Sequence, residues 1–539
     1  MGTTRTLVLR PLSGLGLFLI MVFWVAKLFE IELNEPYMDE KFHIPQAQSF
    51  CRHFPRFDIV QHDPMITTFP GIYLVSALAS ALMRMLTRTQ SQELDGGCSI
   101  AFLRTVNLAL ACVGACVIYH LVAHVRFDAE RQQRQQRQQR QQSRIEGWNK
   151  GPDKGCKGWR VDTRTGCMID AALATVFPLH AFFVWLFYTD TASTVFVLAM
   201  WLAMIRKRYI LSGFLGGCSI MMRQTNAVWV VCLVGWDIAD AALEGMEEGV
   251  GSNAGERTSV GQMKVEKSVT RKWVPRTAPI GLSEQSIAVF RYVWSNITTC
   301  LQRYCIHAVA VLVFVSFVAW NGGIVIGDRA NHVPVKHWVQ PFYFYAYLVL
   351  STGPMWLGRG NWDTSRLRAL GLGGRNGMVL GVALTLALLA IDRGTLVHPF
   401  ILADNRHYTF YIWRRVLGAS QWSRYFAAPV YTVCVWLALF TCPVDQPIIP
   451  AIKTAMLVFC TAVALVPAHL VEFRYFTIPW YLHVLRPGSV LYDNATRGVV
   501  TPLKLATLTG YIALNAATIY VFLYRSFSWG DGSVARFLW

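Results

Sequence analysis

The chain has 539 residues, 54% hydrophobic and 15% charged, where a soluble domain carries about 25% charged residues. That balance excludes an ordinary soluble protein and points to a multi-pass membrane protein. The formal net charge of +18 does not mark a nucleic-acid partner, because the basic residues gather in short loops between apolar runs, as the positive-inside rule expects.

Residues 1–10 carry Arg5 and Arg10, and residues 11–26 carry no formal charge. A first span at 11–29 therefore keeps its N-terminal side cytoplasmic and delivers residues 30–100 to the lumen. The run is too long for a signal-peptide core and reads as a retained anchor. Further spans are expected at 101–123, 168–187, 190–205, 306–326, 337–357, 376–391, 425–442, 451–471 and 503–524. Region 209–236 is interrupted by Met-Met-Arg-Gln-Thr-Asn, and reads as one span or as two short ones. Residues 66–86 decide the topology. The Arg/Gln-rich loop 124–167 belongs in the cytoplasm, and that requires 66–86 to lie along the lumenal surface or to dip in and out, as a membrane-embedded helix of the first lumenal loop; Pro70 and Gly71 fit such an entry.

With 209–236 as two spans, segment 237–304 is cytoplasmic as well. The fold class is then all-α: one polytopic domain over 1–539 with about twelve transmembrane helices of the usual length. The low-complexity tract 128–144 and the Gly/Ser/charge-rich stretch 245–285 read as disordered parts of the cytoplasmic loops. Lumenal segments by this count are 30–100, Tyr188-Thr189-Asp190, the break at Arg223, 322–336, 392–415 and 472–502. Thirteen cysteines form no CxxC or zinc spacing. Cys51 and Cys98 are both lumenal, and the sequence leaves open whether they pair.

The polar clusters fall on that one side. Asp39 and Glu40, with His43 four residues beyond Asp39, follow the first span; a carboxylate there serves as a helix cap or as a general base for a lipid-carried substrate. Asp190 and Arg223 interrupt apolar stretches, and an arginine at depth costs roughly 2.5–3.5 kcal/mol unless it meets an anion or a polar cavity. The loop Gly322-Gly-Ile-Val-Ile-Gly-Asp328 lacks nucleotide-binding spacing. Asp404, Asn405, Arg406, His407 and Tyr408 sit together in one aromatic loop. Glu472, Arg474 and Tyr475 end a later span. Arginines suit phosphate and aromatic faces suit sugar rings. A transporter lined by Arg223 and Asp190 is the reading from another class, but it should carry polar residues near the midplane of several spans.

The segments Tyr37-Met-Asp-Glu-Lys-Phe-His-Ile-Pro-Gln-Ala-Gln48, Asp63-Pro-Met-Ile-Thr-Thr68, Asn321-Gly-Gly-Ile-Val-Ile-Gly-Asp328, Ala403-Asp-Asn-Arg-His-Tyr-Thr-Phe-Tyr-Ile-Trp413 and Glu472-Phe-Arg-Tyr475 occur in this order. In them the chain closely resembles the dolichyl-phosphate-glucose-dependent alpha-1,2-glucosyltransferases of the endoplasmic reticulum membrane, from about residue 11 to Trp539. The Arg/Gln insert and the 245–285 stretch depart from that pattern. The resemblance implies the GT-C membrane glycosyltransferase class and an active site on the lumenal side. The implied donor is dolichyl phosphate beta-D-glucose and the acceptor the diglucosylated, dolichyl-diphosphate-linked oligosaccharide of N-glycan assembly. It implies an inverting displacement without an obligatory cofactor or metal. Asp39 is then the base, supported by Glu40; Arg223, Arg406, His407 and Arg474 meet the phosphate; His43, Asp190, Asp328, Asp404, Asn405, Tyr408 and Tyr475 contact substrate. A mannosyl-lipid-dependent transferase is the close rival within enzymes.

Overall fold

The computed structural model describes residues 11–87, 97–144, 159–160, 162–253, 281–329, 332–357, 375–440, 450–468, 470–492 and 499–539. Helices dominate them. In chain order they are α1 (Pro11–Glu32), α2 (Glu40–His53), α3 (Gly71–Thr87), α4 (Ile100–Arg144), α5 (Thr163–Thr175), α6 (Pro178–Phe183), α7 (Thr189–Ile205), α8 (Tyr209–Met222) and α9 (Asn226–Asn253). After them come α10 (Leu282–Ser295), α11 (Ile297–Asn321), α12 (Gln340–Ser351), α13 (Gly353–Trp356), α14 (Arg375–Gly394), α15 (Pro399–Ala403) and α16 (Tyr408–Ile412). The last are α17 (Ser423–Phe426), α18 (Ala428–Phe440), α19 (Ala451–Leu465), α20 (Thr477–Leu485) and α21 (Pro502–Tyr524). Two short antiparallel pairs are the strands observed among the described residues. One joins β1 (Trp159–Arg160) to β2 (Val499–Val500), the other β3 (Phe527–Ser528) to β4 (Val534–Ala535).

Among the described residues, four segments have the length and apolar composition to cross a membrane: Ile100–Asp128, Asn226–Glu244, Ile297–Asn321 and Pro502–Tyr524. Helix α11 shows why they need lipid, since Leu312, Val313 and Trp320 are 63%, 64% and 84% exposed. The expected span at 168–187 is broken. Pro178 has no amide hydrogen to donate, so α5 stops and α6 restarts with the proline in its first turn. Region 209–236 forms two helices, as the two-span reading required. The break is held by Asn226, whose side-chain amide donates to Ser219 O and Ser193 Oγ, both at 2.7 Å. Between α5 and α6 Phe177 stacks on Trp480 of α20 at 3.7 Å, in the main apolar core.

Two sequence readings are corrected. The 128–144 tract, expected without regular structure, falls in α4, which continues through it to Arg144, because glutamine and arginine are good helix formers and no glycine or proline interrupts them. In the 245–285 stretch, α9 runs to Asn253 and α10 starts at Leu282; the basic residues at 1–10, 150–157 and 359–368 lie outside the described residues.

The second correction concerns 472–502, which is not one loop on one side. Arg104 of α4 binds Glu40 beside Asp39, while Arg126, 22 residues and thus roughly 33 Å further along α4, pairs with Asp170 at 2.6 Å. Lys504 joins the same Asp170 at 3.0 Å, and β2 pairs with β1 there. So α21 begins at the end of the bundle opposite Asp39. Its other end returns to the Asp39 side, where Phe522 packs on Phe29 and Tyr37. Buried α20 therefore belongs to a passage from one end to the other. Nine residues with Pro479 inside are too few for a hydropathy window to register.

A cap covers the Asp39 end. Helices α2 and α3 pack together, and a disulfide between Cys51 and Cys98, 47 positions apart, ties the end of α2 to the chain beyond α3. Cys98 also touches Ser76 O of α3, and Gly71 abuts Met221 of α8. Cys51→Ser is expected to lower the stability of this cap by about 2–4 kcal/mol, read as a lower thermal unfolding midpoint of the purified protein; an unchanged midpoint would deny the disulfide that role.

Candidate active site

Asp39 precedes the first turn of α2, yet its carboxylate makes no capping bond. Met38 just before it has φ 55, a left-handed conformation that costs a non-glycine residue of order 1 kcal/mol or more. This turn points Asp39 away from α2. Its Oδ2 accepts from Arg474 Nη1 at 2.6 Å, and its amide reaches the Tyr188 hydroxyl at 3.4 Å. The two pair members are 34% and 17% exposed.

They open into a cavity of about 750 Å³. Its polar wall comes from Asp39, Asp404, Asn405, Arg406, His407, Glu472 and Arg474; its apolar wall includes Leu402, Phe410, Leu470 and Leu538. Arg406 forks onto Asp404 with Nε–Oδ1 2.8 Å and Nη2–Oδ2 2.7 Å, and lies 4.6 Å over the Trp529 ring. Asn405 accepts from Trp529 Nε1 at 3.0 Å. His407 Nδ1 lies 3.1 Å from Trp539 O. Arg474 also bonds Glu472 through Nε and lies over Tyr188.

Charge states follow from these contacts. Burial pushes Asp39 up, but the Arg474 charge and hydrogen bond, with His43 and His407, outweigh it and hold the carboxyl at about 2. Glu472 and Asp404 behave alike: burial raises each, and Arg474 or Arg406 brings each below its ordinary value. Burial lowers His43 despite the nearby Asp39 charge.

The structure gathers Asp39, Asp404, Asn405, Arg406, His407 and Arg474 from the sequence reading around one space. Arg223, Asp190 and Tyr475 stand directly behind it: Arg223 pairs with Asp190 at 2.8 Å and lies over the Tyr475 ring, and Asp190 Oδ2 is 4.0 Å from Arg474 Nη1. His43 turns instead to the Tyr73 hydroxyl of α3. Tyr408 gives its amide to Leu538 O and packs its ring against Trp539. Asp328 lies elsewhere, its amide on Pro64 O at 2.8 Å, where Gly327 passes so close to Pro64 that a Cβ would fall 2.2 Å from the carbonyl oxygen.

Glu40 is a correction. It is completely buried, with Arg104 on both oxygens (Nε 3.0 Å, Nη2 2.6 Å), the Phe187 amide at 2.7 Å and the Tyr37 amide at 3.2 Å. A carboxylate so enclosed does not reach the cavity; it fixes the turn that presents Asp39. The sequence reading missed Arg104, Tyr188 and the tail residues Trp529, Leu538 and Trp539. Arg104, a cation in the first turn of an apolar span, was the signal for the first of these. The tail is tied down by Arg536, which donates to Phe522 O and Glu32 O while its amide reaches the Tyr37 hydroxyl at 2.7 Å. Among the described residues no group of three or more His, Cys, Asp or Glu side chains is gathered as for a metal.

Lipid-length apolar helices beneath a capped cavity of paired carboxylates and arginines define a helical membrane protein with its polar site at one end. The chain belongs to the DIE2/ALG10 family, whose model matches residues 33–485. Its relatives include the Dol-P-Glc:Glc(2)Man(9)GlcNAc(2)-PP-Dol alpha-1,2-glucosyltransferase of Arabidopsis thaliana, 30% identical over 98% of this chain and all of the relative. Proteins of the same name from Homo sapiens (30% identical, 95% of this chain and 94% of the relative) and Drosophila melanogaster (30%, 93% of each) are similar throughout. No solved structure matches the chain.

Proposed function

We propose that the protein transfers glucose from dolichyl phosphate glucose to the diglucosylated dolichyl-diphosphate oligosaccharide, forming the terminal alpha-1,2 bond with inversion. The observation that carries this is the cavity itself, where Asp39 with its partner Arg474, and Arg406 with Asp404, line one space beside an apolar wall suited to a prenyl chain. In the reaction the acceptor hydroxyl gives its proton to Asp39 as its oxygen bonds the anomeric carbon. The bond from that carbon to the phosphate oxygen breaks, and the electron pair leaves on the phosphate. Arg474 and Arg406 meet that charge, so neither a strong acid nor a metal is needed in this scheme. The Cys51–Cys98 bond supports a lumenal cap, since disulfides persist in oxidising compartments. The exposed Leu78, Leu82 and Leu86 of α3 support the helix lying in the membrane interface.

Purified protein should transfer glucose from the glucosyl lipid but not mannose from the mannosyl lipid. Transfer from the mannosyl lipid alone would replace this reading with its rival. Arg406→Ala should raise the donor KM roughly tenfold, the loss of one charge-assisted hydrogen bond, with a smaller effect on kcat; an unchanged donor KM would remove Arg406 from the phosphate site. In sealed microsomes, an epitope at Gln138 should be accessible, whereas one at Asp531 should require permeabilisation. The reverse pattern would invert the topology.

A further inference from the structure

Each cation on the cavity wall already has a partner among the described residues. Arg406 holds Asp404, Arg474 holds Asp39 and Glu472, and His407 faces Trp539 O and Asp404. A lipid phosphate entering this cavity must therefore displace an acidic side chain or lie against acidic groups. The pairs differ in how firmly they are built. Asp404 and Arg406 are two residues apart and share three hydrogen bonds, one from the Arg406 amide. Glu472 is likewise two residues from Arg474 and only 14% exposed. Asp39 comes from a different part of the chain, holds Arg474 through the single nitrogen Nη1, and is 34% exposed.

Building on the proposed transfer, we infer that the donor phosphate binds by taking the place of Asp39 on Arg474, so that loading the donor releases the base. The exchange conserves charge: a phosphodiester and a carboxylate each carry one negative charge, and Arg474 Nη1 keeps one anionic partner throughout. Nothing covalent changes in this step. Asp190, 4.0 Å from the same nitrogen, and Glu472 on Nε keep the guanidinium in place while its partner changes. The consequence for acid–base chemistry is direct. Held by Arg474, Asp39 is a weak proton acceptor; once the phosphate occupies that cation, the hydrogen bond from Arg474 is lost and burial pushes the carboxyl upward against His43 and His407. Arg474 is thus a positioning residue before donor entry and a phosphate ligand after it, and the order of addition is donor first.

The test is binding of dolichyl phosphate glucose, with no acceptor present, to purified protein. Asp39→Asn removes the competitor while keeping the shape, and should tighten binding about threefold or more, the size expected for releasing one partly exposed ion pair. A structural role alone for Asp39 would leave affinity unchanged or weaken it, and that result overturns the exchange. Failure of the unaltered protein to bind any polyprenyl phosphate overturns the functional reading itself. A second measurement needs no variant. The acid limb of kcat at saturating donor should lie at or above the ordinary aspartate value of about 3.9. A limb near 2 would show Asp39 still held by Arg474 in the loaded enzyme.

Discussion

Asp39→Asn is expected to lower glucosyl transfer by roughly 10²- to 10⁴-fold, the range in which a positioned general base acts, in a protein that still folds. The carboxylate accepts no capping bond in α2 and lies partly open to the cavity, so asparagine keeps the shape while removing the proton acceptor and the anionic partner of Arg474. Turnover of the glucosyl lipid by the purified variant checks this. Near-normal turnover would hand the role to Glu472 or Asp404, the other carboxylates on the wall. The Asp39–Arg474 pair also has a stability signature of definite sign. The folded pKa is depressed, to about 2, so its contribution is complete above the ordinary aspartate value near 3.9 and fades as pH falls from there toward 2.

The second large effect is structural and concerns the neighbouring acid. Arg104→Ala should destabilise the cap end by about 3–5 kcal/mol, because it leaves Glu40 charged and buried without its cation. Thermal unfolding of the solubilised protein reads this directly, and a midpoint equal to the parent's would refute it. The contrast is the useful part: adjacent carboxylates in the sequence should separate into one whose loss spares folding and one whose partner's loss does not.

That separation shows where sequence reasoning reached and where it stopped. Apolar length located the long helices, because lipid demands a continuous run of side chains whatever they pack against. The polar clusters at 39, 404–407 and 472–474 were legible for a related reason: charge beside a membrane must be compensated. What decides between Asp39 and Glu40 is which of them meets Arg104, a contact across 64 positions that no local pattern encodes. Helix α20 escaped because it is short and buried among other helices rather than in lipid. The tail's place on the cavity wall follows from Arg536 reaching carbonyls of α1 and α21, again a purely tertiary matter. Asp328, attractive beside its glycines, does not line the cavity, and its amide ties its loop to Pro64 O.

The sequence separation between Asp39 and Arg474, 435 positions, bears on biosynthesis. A growing polypeptide would expose the acid hundreds of residues before the guanidinium emerges. Until then the aspartate has no ionic counterpart, and the half-made chain has no enclosed chamber for a lipid sugar. Competence for chemistry would thus arrive late and all at once, when the distant helices have inserted and docked.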